Sequence, residues 1–213
     1  MEVLYWFESI RCPALDFFFS LITRLGEETF FLILALGLFW CVDKRKGYYL
    51  MAVGFVGTII NQFLKLAFRV PRPWVRDPNF TIVESAREGA TGYSFPSGHT
   101  QTAVGIYGGL ARSGRGWARW ASLLLAVLIP ISRLYLGVHT IWDVGVSAVI
   151  GLALVLLLWP LFQWIWREPR RLYLVMGAVL LLAAAYTAYV ELWPFPADLD
   201  SVNYAEGVKN AYL

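Results

Sequence analysis

Apolar residues fill this chain in long blocks, and charged residues fall mostly between the blocks. The blocks at 29–42, 48–68, 97–111, 120–136, 139–166 and 172–190 each predict a membrane-crossing helix. The first is short for a bilayer, which puts Glu27 and Glu28 at the interface. Residues 1–25 differ: Glu2, Glu8, Arg11, Asp16 and Arg24 interrupt the apolar positions. Their longest apolar run is too short and too charged to span, and no basic front end marks a signal peptide. This segment is expected as one amphipathic helix on the membrane surface. Small residues Gly54 and Gly57, and Ala103, Gly105, Gly108 and Gly109, predict close helix contacts. Pro130 predicts a kink, and Gly137 and Val138 a brief turn. The expected fold is an all-α integral membrane protein: a six-transmembrane helix bundle with an N-terminal amphipathic interfacial helix. It forms one domain over 1–213, with a tail at 191–213.

Composition agrees with that layout: 58% of the 213 residues are hydrophobic. The formal net charge of +3 is modest, and its distribution says more than its sum. Basic residues gather in three turns, at Lys44, Arg45 and Lys46, at Arg112, Arg115 and Arg119, and at Arg167, Arg170 and Arg171. With six alternating spans all three turns share one side, which the positive-inside rule makes cytoplasmic. The N-terminal segment, the loop 70–95 and the tail, with Asp198, Asp200 and Glu206, then lie outside. The expected location is the cell membrane, multi-pass. The loop carries Trp74, Arg76, Asp77, Glu84, Arg87 and Glu88 and is expected to border a substrate mouth. Cys12 and Cys41 are far apart and read as unpaired. No nucleic-acid partner is expected, and the oligomeric state is not readable.

Three polar stretches interrupt the apolar pattern. The first holds Lys65 at the outer end of a span and Arg72 between Pro71 and Pro73. Charge at such depth is costly and points to function, and the two prolines stiffen the backbone that aims Arg72. Arg69 reads instead as snorkelling to headgroups. The second stretch, Pro96, Ser97, Gly98 and His99, reads as a helix start. Its unpaired N–H groups suit a phosphate, Gly98 permits close backbone approach, and Ser97 both caps and binds. The third runs from Ser132 and Arg133 through His139 to Asp143. If His139 opens a helix, Asp143 sits one turn on and can orient the imidazole, while Arg133 binds an anion. His99 and His139 are the only two histidines, and both stand beside anion-binding chemistry. The residues alone do not say which imidazole would attack. Clustered carboxylates of the kind a two-metal phosphatase needs are missing, so neither a catalytic metal nor a cofactor is expected.

In order and spacing these stretches resemble the signature of the type 2 phosphatidic acid phosphatase superfamily. Lys65 is followed after six residues by Arg72-Pro73; Pro96-Ser97-Gly98-His99 comes next; Ser132-Arg133 precedes His139 by five residues, and Asp143 follows after three. No signature position departs from the pattern. The resemblance implies a membrane phosphatase acting on a lipid phosphate, of the phosphatidic acid, phosphatidylglycerol phosphate or undecaprenyl pyrophosphate class. It implies His139 as nucleophile forming a phosphohistidine, oriented by Asp143. His99 would be the acid and base, and Lys65, Arg72, Arg133, Ser97 and Gly98 would hold the phosphate. All three motifs fall on the side away from the basic turns, so the site should face the extracytoplasmic side. Two rivals share the pocket. One is the vanadate-dependent haloperoxidase branch, whose members are typically soluble. The other is a lipid-binding or transport protein without catalysis.

Overall fold

The structure, a computed structural model, describes residues 1–90 and 92–192. The expected tail at 191–213, with Asp198, Asp200 and Glu206, lies almost wholly outside the described residues. Among those described, every regular element is helical. The helices are α1 (Glu2–Ser9), α2 (Pro13–Arg24), α3 (Glu28–Cys41), α4 (Lys44–Phe68), α5 (Pro73–Arg76), α6 (Gly98–Ser113), α7 (Gly116–Tyr135), α8 (Ile141–Ile165) and α9 (Leu172–Leu192).

Helix α6 is the hub, packed against α7 and α8, with α4 and α3 on a further side. The largest core cluster joins Phe31 and Ala35 of α3, Tyr49, Leu50 and Val53 of α4, Ile106 of α6, and Val155 and Phe162 of α8. Close approach depends on absent side chains. A Cβ on Gly47 would lie 2.6 Å from the Cα of Phe39, so α3 and α4 touch backbone to backbone. A Cβ on Gly151 would lie 3.1 Å from the carbonyl oxygen of Gln101 in α6.

Four segments are long and apolar enough to cross a membrane: Lys44–Arg76, Gly116–Tyr135, Ile141–Ile165 and Pro169–Leu192. Their outward faces carry large apolar side chains, among them Val149 and Leu157 of α8 and Leu174, Leu180 and Leu181 of α9, each more than 60% exposed. A surface of that kind suits hydrocarbon and not water. Helix α3 has 14 residues, about 21 Å at 1.5 Å per residue, and α6 has 16. Both fall short of the ~30 Å hydrocarbon core, so the span count is four by length rather than six.

Other boundaries also differ from the sequence reading. The N-terminal segment is two helices, not one, because Pro13 cannot continue a helix and instead opens α2 at its first position. It does not lie apart from the bundle: α1 and α2 pack on α7. Asp43 caps α4 by accepting from the N–H of Arg45, so Lys44, Arg45 and Lys46 form its first turn rather than a loop. Arg69 is the left-handed cap of α4, at φ 49°, and its Nε donates to the Leu66 carbonyl at 2.8 Å. It secures a helix end. Pro130 and Pro160 both lie inside helices. Both cysteines are free.

The glycine contacts predict opposite outcomes at two sites. Gly47→Ala should force α3 from α4 and lower stability by about 1–3 kcal/mol, as overpacking does. Gly145→Ala, with nothing within 4 Å of the added carbon, should be neutral or stabilising by up to ~1 kcal/mol. Thermal unfolding of both variants in detergent checks the pair.

Candidate active site

The first turn of α6 is where the helix termini, the loop 70–97 and the α7–α8 turn meet. A cavity of about 180 Å³ opens there, lined by Lys65, Arg72, Gly98, His99, Arg133 and His139, and also by Gly26, Glu27, Glu28, Asn61, Gln62 and Gly89. Six of the eight residues singled out from the sequence therefore share one chamber. The other two, Ser97 and Asp143, do not line it.

Arg72 comes from the segment between α4 and α5. The αL cap at Arg69 ends α4, and Pro71 and Pro73 fix the chain on either side of Arg72. Its side chain is buried, with Nε donating to the Gly92 carbonyl at 2.9 Å and Nη1 to the Val138 carbonyl at 3.0 Å. Nη1 also lies 3.1 Å from Nε2 of His139. A guanidinium can only donate, so this Nε2 is the acceptor and carries the lone pair. Nδ1 of His139 faces the Ser94 carbonyl at 2.8 Å, where it can only donate. The two contacts together define a neutral imidazole with its lone pair on Nε2. Burial first, and then the Arg72 charge, hold His139 well below the ordinary histidine range.

Asp143 stands beside His139 as expected, at 3.7 Å, but through a different local geometry. His139 stands before the helix, because Thr140 caps α8, and Asp143 is the third residue of a capping box. The Asp143 carboxylate accepts from Ser94 Oγ at 2.5 Å and from the Thr140 N–H at 2.7 Å. It lies 3.7 Å from His139 Nδ1, too far for a hydrogen bond. The imidazole is thus held directly by the Ser94 carbonyl, and Asp143 holds Ser94. The Asp143 carbonyl also accepts from the Ser97 N–H at 3.3 Å and the Ser147 hydroxyl at 2.7 Å. One residue in this way ties the start of α6 to the start of α8.

Ser97 is a plain N-cap here. Its hydroxyl accepts from the Thr100 N–H at 3.4 Å, it is fully buried, and Gly98 and His99 line the cavity in its place. Arg133 is 1% exposed in the last turn of α7. Its Nη1 donates to Thr23 Oγ1 at 2.8 Å, while Nε and Nη2 are buried with no hydrogen-bond partner among the described residues. Donors left so in an apolar interior are costly.

Several contributors were not singled out from the sequence. Thr23 anchors Arg133, yet its hydroxyl lies in a segment read as surface helix. Ser94 holds His139, but through a backbone oxygen that any residue would supply. Asn61, one helical turn before Lys65, donates to Gln101 Oε1 at 3.0 Å, and Gln101 donates to the Gly57 carbonyl. That four-residue spacing was the available signal. Glu27 and Glu28 border the cavity from the start of α3, and Glu28 accepts from Thr58 Oγ1 at 3.3 Å. The loop 70–95 is pinned from α1, where Tyr5 donates to Asp77 at 2.7 Å and Arg11 to the Thr81 carbonyl at 2.8 Å. Among the described residues no three His, Cys, Asp or Glu side chains gather as a metal site.

A "Probable sphingosine-1-phosphate phosphatase" of Dictyostelium discoideum is 32% identical over 73% of this chain, which spans 41% of that longer protein. The "Undecaprenyl-diphosphatase BcrC" of Bacillus subtilis is 30% identical over 65% of this chain and 70% of its own length. A transmembrane PAP2-type phosphatidylglycerolphosphate phosphatase from Bacillus subtilis superposes with a TM-score of 0.63, at 26% identity, over 77% of this chain and 84% of that one. The model of the PAP2 superfamily matches residues 46–167, which contain every cavity-lining residue contributed by α4, α6, α7 and the turns between them. With its cationic chamber built from those motifs, this chain belongs to the PAP2 superfamily.

Proposed function

We propose that this protein is an integral membrane phosphatase that hydrolyses the phosphate monoester or diphosphate of a lipid, without a metal. The observation that carries this reading is the electrostatics of the cavity. Three cationic side chains and two imidazoles line it, with Glu27 and Glu28 at its border, and two N–H donors of Arg133 have no partner among the described residues. A dianionic phosphoryl group supplies the acceptors and the charge that such a chamber lacks. The volume of about 180 Å³ admits a headgroup and not a lipid tail, so the tail stays in the bilayer. Relatives named for sphingosine phosphate and undecaprenyl diphosphate support the lipid-phosphate class.

The reaction follows from the tautomer. Lys65, Arg72, Arg133 and the N–H groups at Gly98 and His99 take the phosphoryl oxygens. Arg72 thereby turns from His139 to the substrate and frees the Nε2 lone pair. Nε2 attacks phosphorus, the bond from phosphorus to the leaving oxygen breaks, and His99 protonates that oxygen. The imidazolium formed at His139 keeps its Nδ1–H on the Ser94 carbonyl, with the Asp143 carboxylate close by. His99 then removes a proton from water as the water oxygen attacks phosphorus; the bond from phosphorus to Nε2 breaks, and inorganic phosphate and neutral His139 are released.

The layout in the membrane follows the same logic. Arg45 stacks against Trp166 at 5.8 Å and Arg171 against Trp164 at 4.1 Å, so the basic residues flanking α4 and α8 share the end opposite the cavity. The positive-inside rule makes that end cytoplasmic and turns the site to the extracytoplasmic side of the cell membrane. Helices α3 and α6, both shorter than a full span, complete six membrane-embedded helices, with α1 and α2 at the outer interface.

Purified protein in detergent with EDTA should release phosphate from a defined panel of lipid phosphates. Absence of release from every lipid would leave a binding protein. After brief exposure to a ³²P-labelled lipid phosphate, wild type should carry acid-labile, base-stable label. His139→Ala should carry none and lose turnover; label retained in that variant would exclude His139 as nucleophile. Thr23→Val should loosen Arg133 and lower kcat/KM by roughly 10–100-fold, the worth of a charged hydrogen bond. Arg133→Lys should do at least as much, because an ammonium lacks the planar fork. Steady-state kinetics of the two variants checks both.

A further inference from the structure

The end of the bundle away from the catalytic cavity holds a second, larger opening. It is a groove of about 420 Å³ between α6, α7 and α8, with Leu123, Leu152 and Leu156 on its walls and Arg112 and Arg119 at its lip. Helices α7 and α8 both pack on α6 and touch each other little, so they diverge here and leave the space open. Arg112 lies over the Trp159 ring at 5.3 Å, which holds its guanidinium at the groove mouth. No carboxylate among the described residues comes within ion-pair distance of Arg112 or Arg119. Both arginines are exposed, and so are Trp117 and Trp120 beside them, at 82% and 70%. Exposed tryptophans next to basic residues mark a helix end at the headgroup level.

We propose that this groove binds an anionic phospholipid, a phosphodiester such as phosphatidylglycerol, from the leaflet opposite the catalytic cavity. Its headgroup phosphate would sit between Arg112 and Arg119, and an acyl chain would run along the leucine walls. Charge complementarity selects the occupant. An apolar slot alone would take any chain, but two arginines without acidic partners among the described residues favour a negative headgroup, as basic pockets between helices on the cytoplasmic side do. A phosphodiester also differs chemically from the monoester or diphosphate assigned to the catalytic cavity. The proposal needs the protein to sit in a bilayer and does not depend on the phosphatase reading.

Native mass spectrometry of the full chain in detergent, with dioleoylphosphatidylglycerol or dioleoylphosphatidylcholine at equal concentration, tests it. Wild type should retain one phosphatidylglycerol with a preference of about tenfold over phosphatidylcholine. The double variant Arg112→Gln, Arg119→Gln should lose that preference while keeping its phosphatase activity and its Tm. Leu123→Trp, which fills the groove and keeps both arginines, should weaken retention of both lipids. An undiminished preference in the double variant would place the lipid elsewhere, the catalytic cavity included, and overturn the assignment. So would equal retention of the two lipids by wild type, or a doubled protein mass without lipid, which would mean that a second copy covers the groove. Absence of phosphatase activity in wild type, with its lipid preference present, would count against the catalytic reading only.

Discussion

Buried positive charge is the constraint around which this fold is organised. Arg133 sits in an apolar bundle with a threonine hydroxyl as its anchor, and no carboxylate among the described residues lies within ion-pair distance. A guanidinium so placed costs several kcal/mol unless something compensates it. Backbone carbonyls at Gly92 and Val138 accept from Arg72 as well and fix the direction of its side chain. On the proposed function, such a site is preorganised for the phosphoryl group, the electrostatic condition for stabilising its transition state.

Keeping such a site rigid requires a scaffold that ties distant segments together. Helix α6 starts at the site and ends at the opposite basic face, and it packs on most of the other long helices on the way. Asp143 fastens its first turn to α8 through the Ser97 N–H, and fastens Ser94 to Thr140 through its carboxylate. The turn between α2 and α3 presses on α6 as well, since a Cβ on Gly26 would meet the Ile129 side chain at 2.7 Å and the His99 carbonyl at 3.3 Å. The imidazoles are consequently set by several elements at once. A change in one of those elements acts on chemistry some distance away.

Lipid is the solvent on the outside of this assembly, and the chemistry at its two ends differs accordingly. The outer faces of α8 and α9 expose leucine and valine freely. Polar contacts concentrate at the cavity end, where Asn61, Gln101 and Ser147 are paired internally. Arginine and tryptophan concentrate at the other end, where they meet headgroups. The two openings of the molecule lie at opposite ends of the bundle, the catalytic candidate lined by Lys65, Arg72 and Arg133 and the other by Arg112 and Arg119.

Much of this was legible in the chain itself. Apolar blocks marked the long helices, and three motifs marked Lys65, Arg72, His99, Arg133 and His139, because costly charge in an apolar run survives only where it serves something. Helix ends were less legible: Pro13 divides the N-terminal segment, and Asp43 extends α4 backwards through the basic turn. The contacts that decide roles were not legible at all. That Ser94 and not Asp143 touches the imidazole, that Ser97 turns into its own cap, and that Thr23 anchors Arg133 depend on backbone carbonyls, hydroxyl directions and the docking of α2 on α7. Periodicity and spacing report which residues share a face of one element. Hydrogen bonds between elements are set by how those elements pack, and only the tertiary structure decides that.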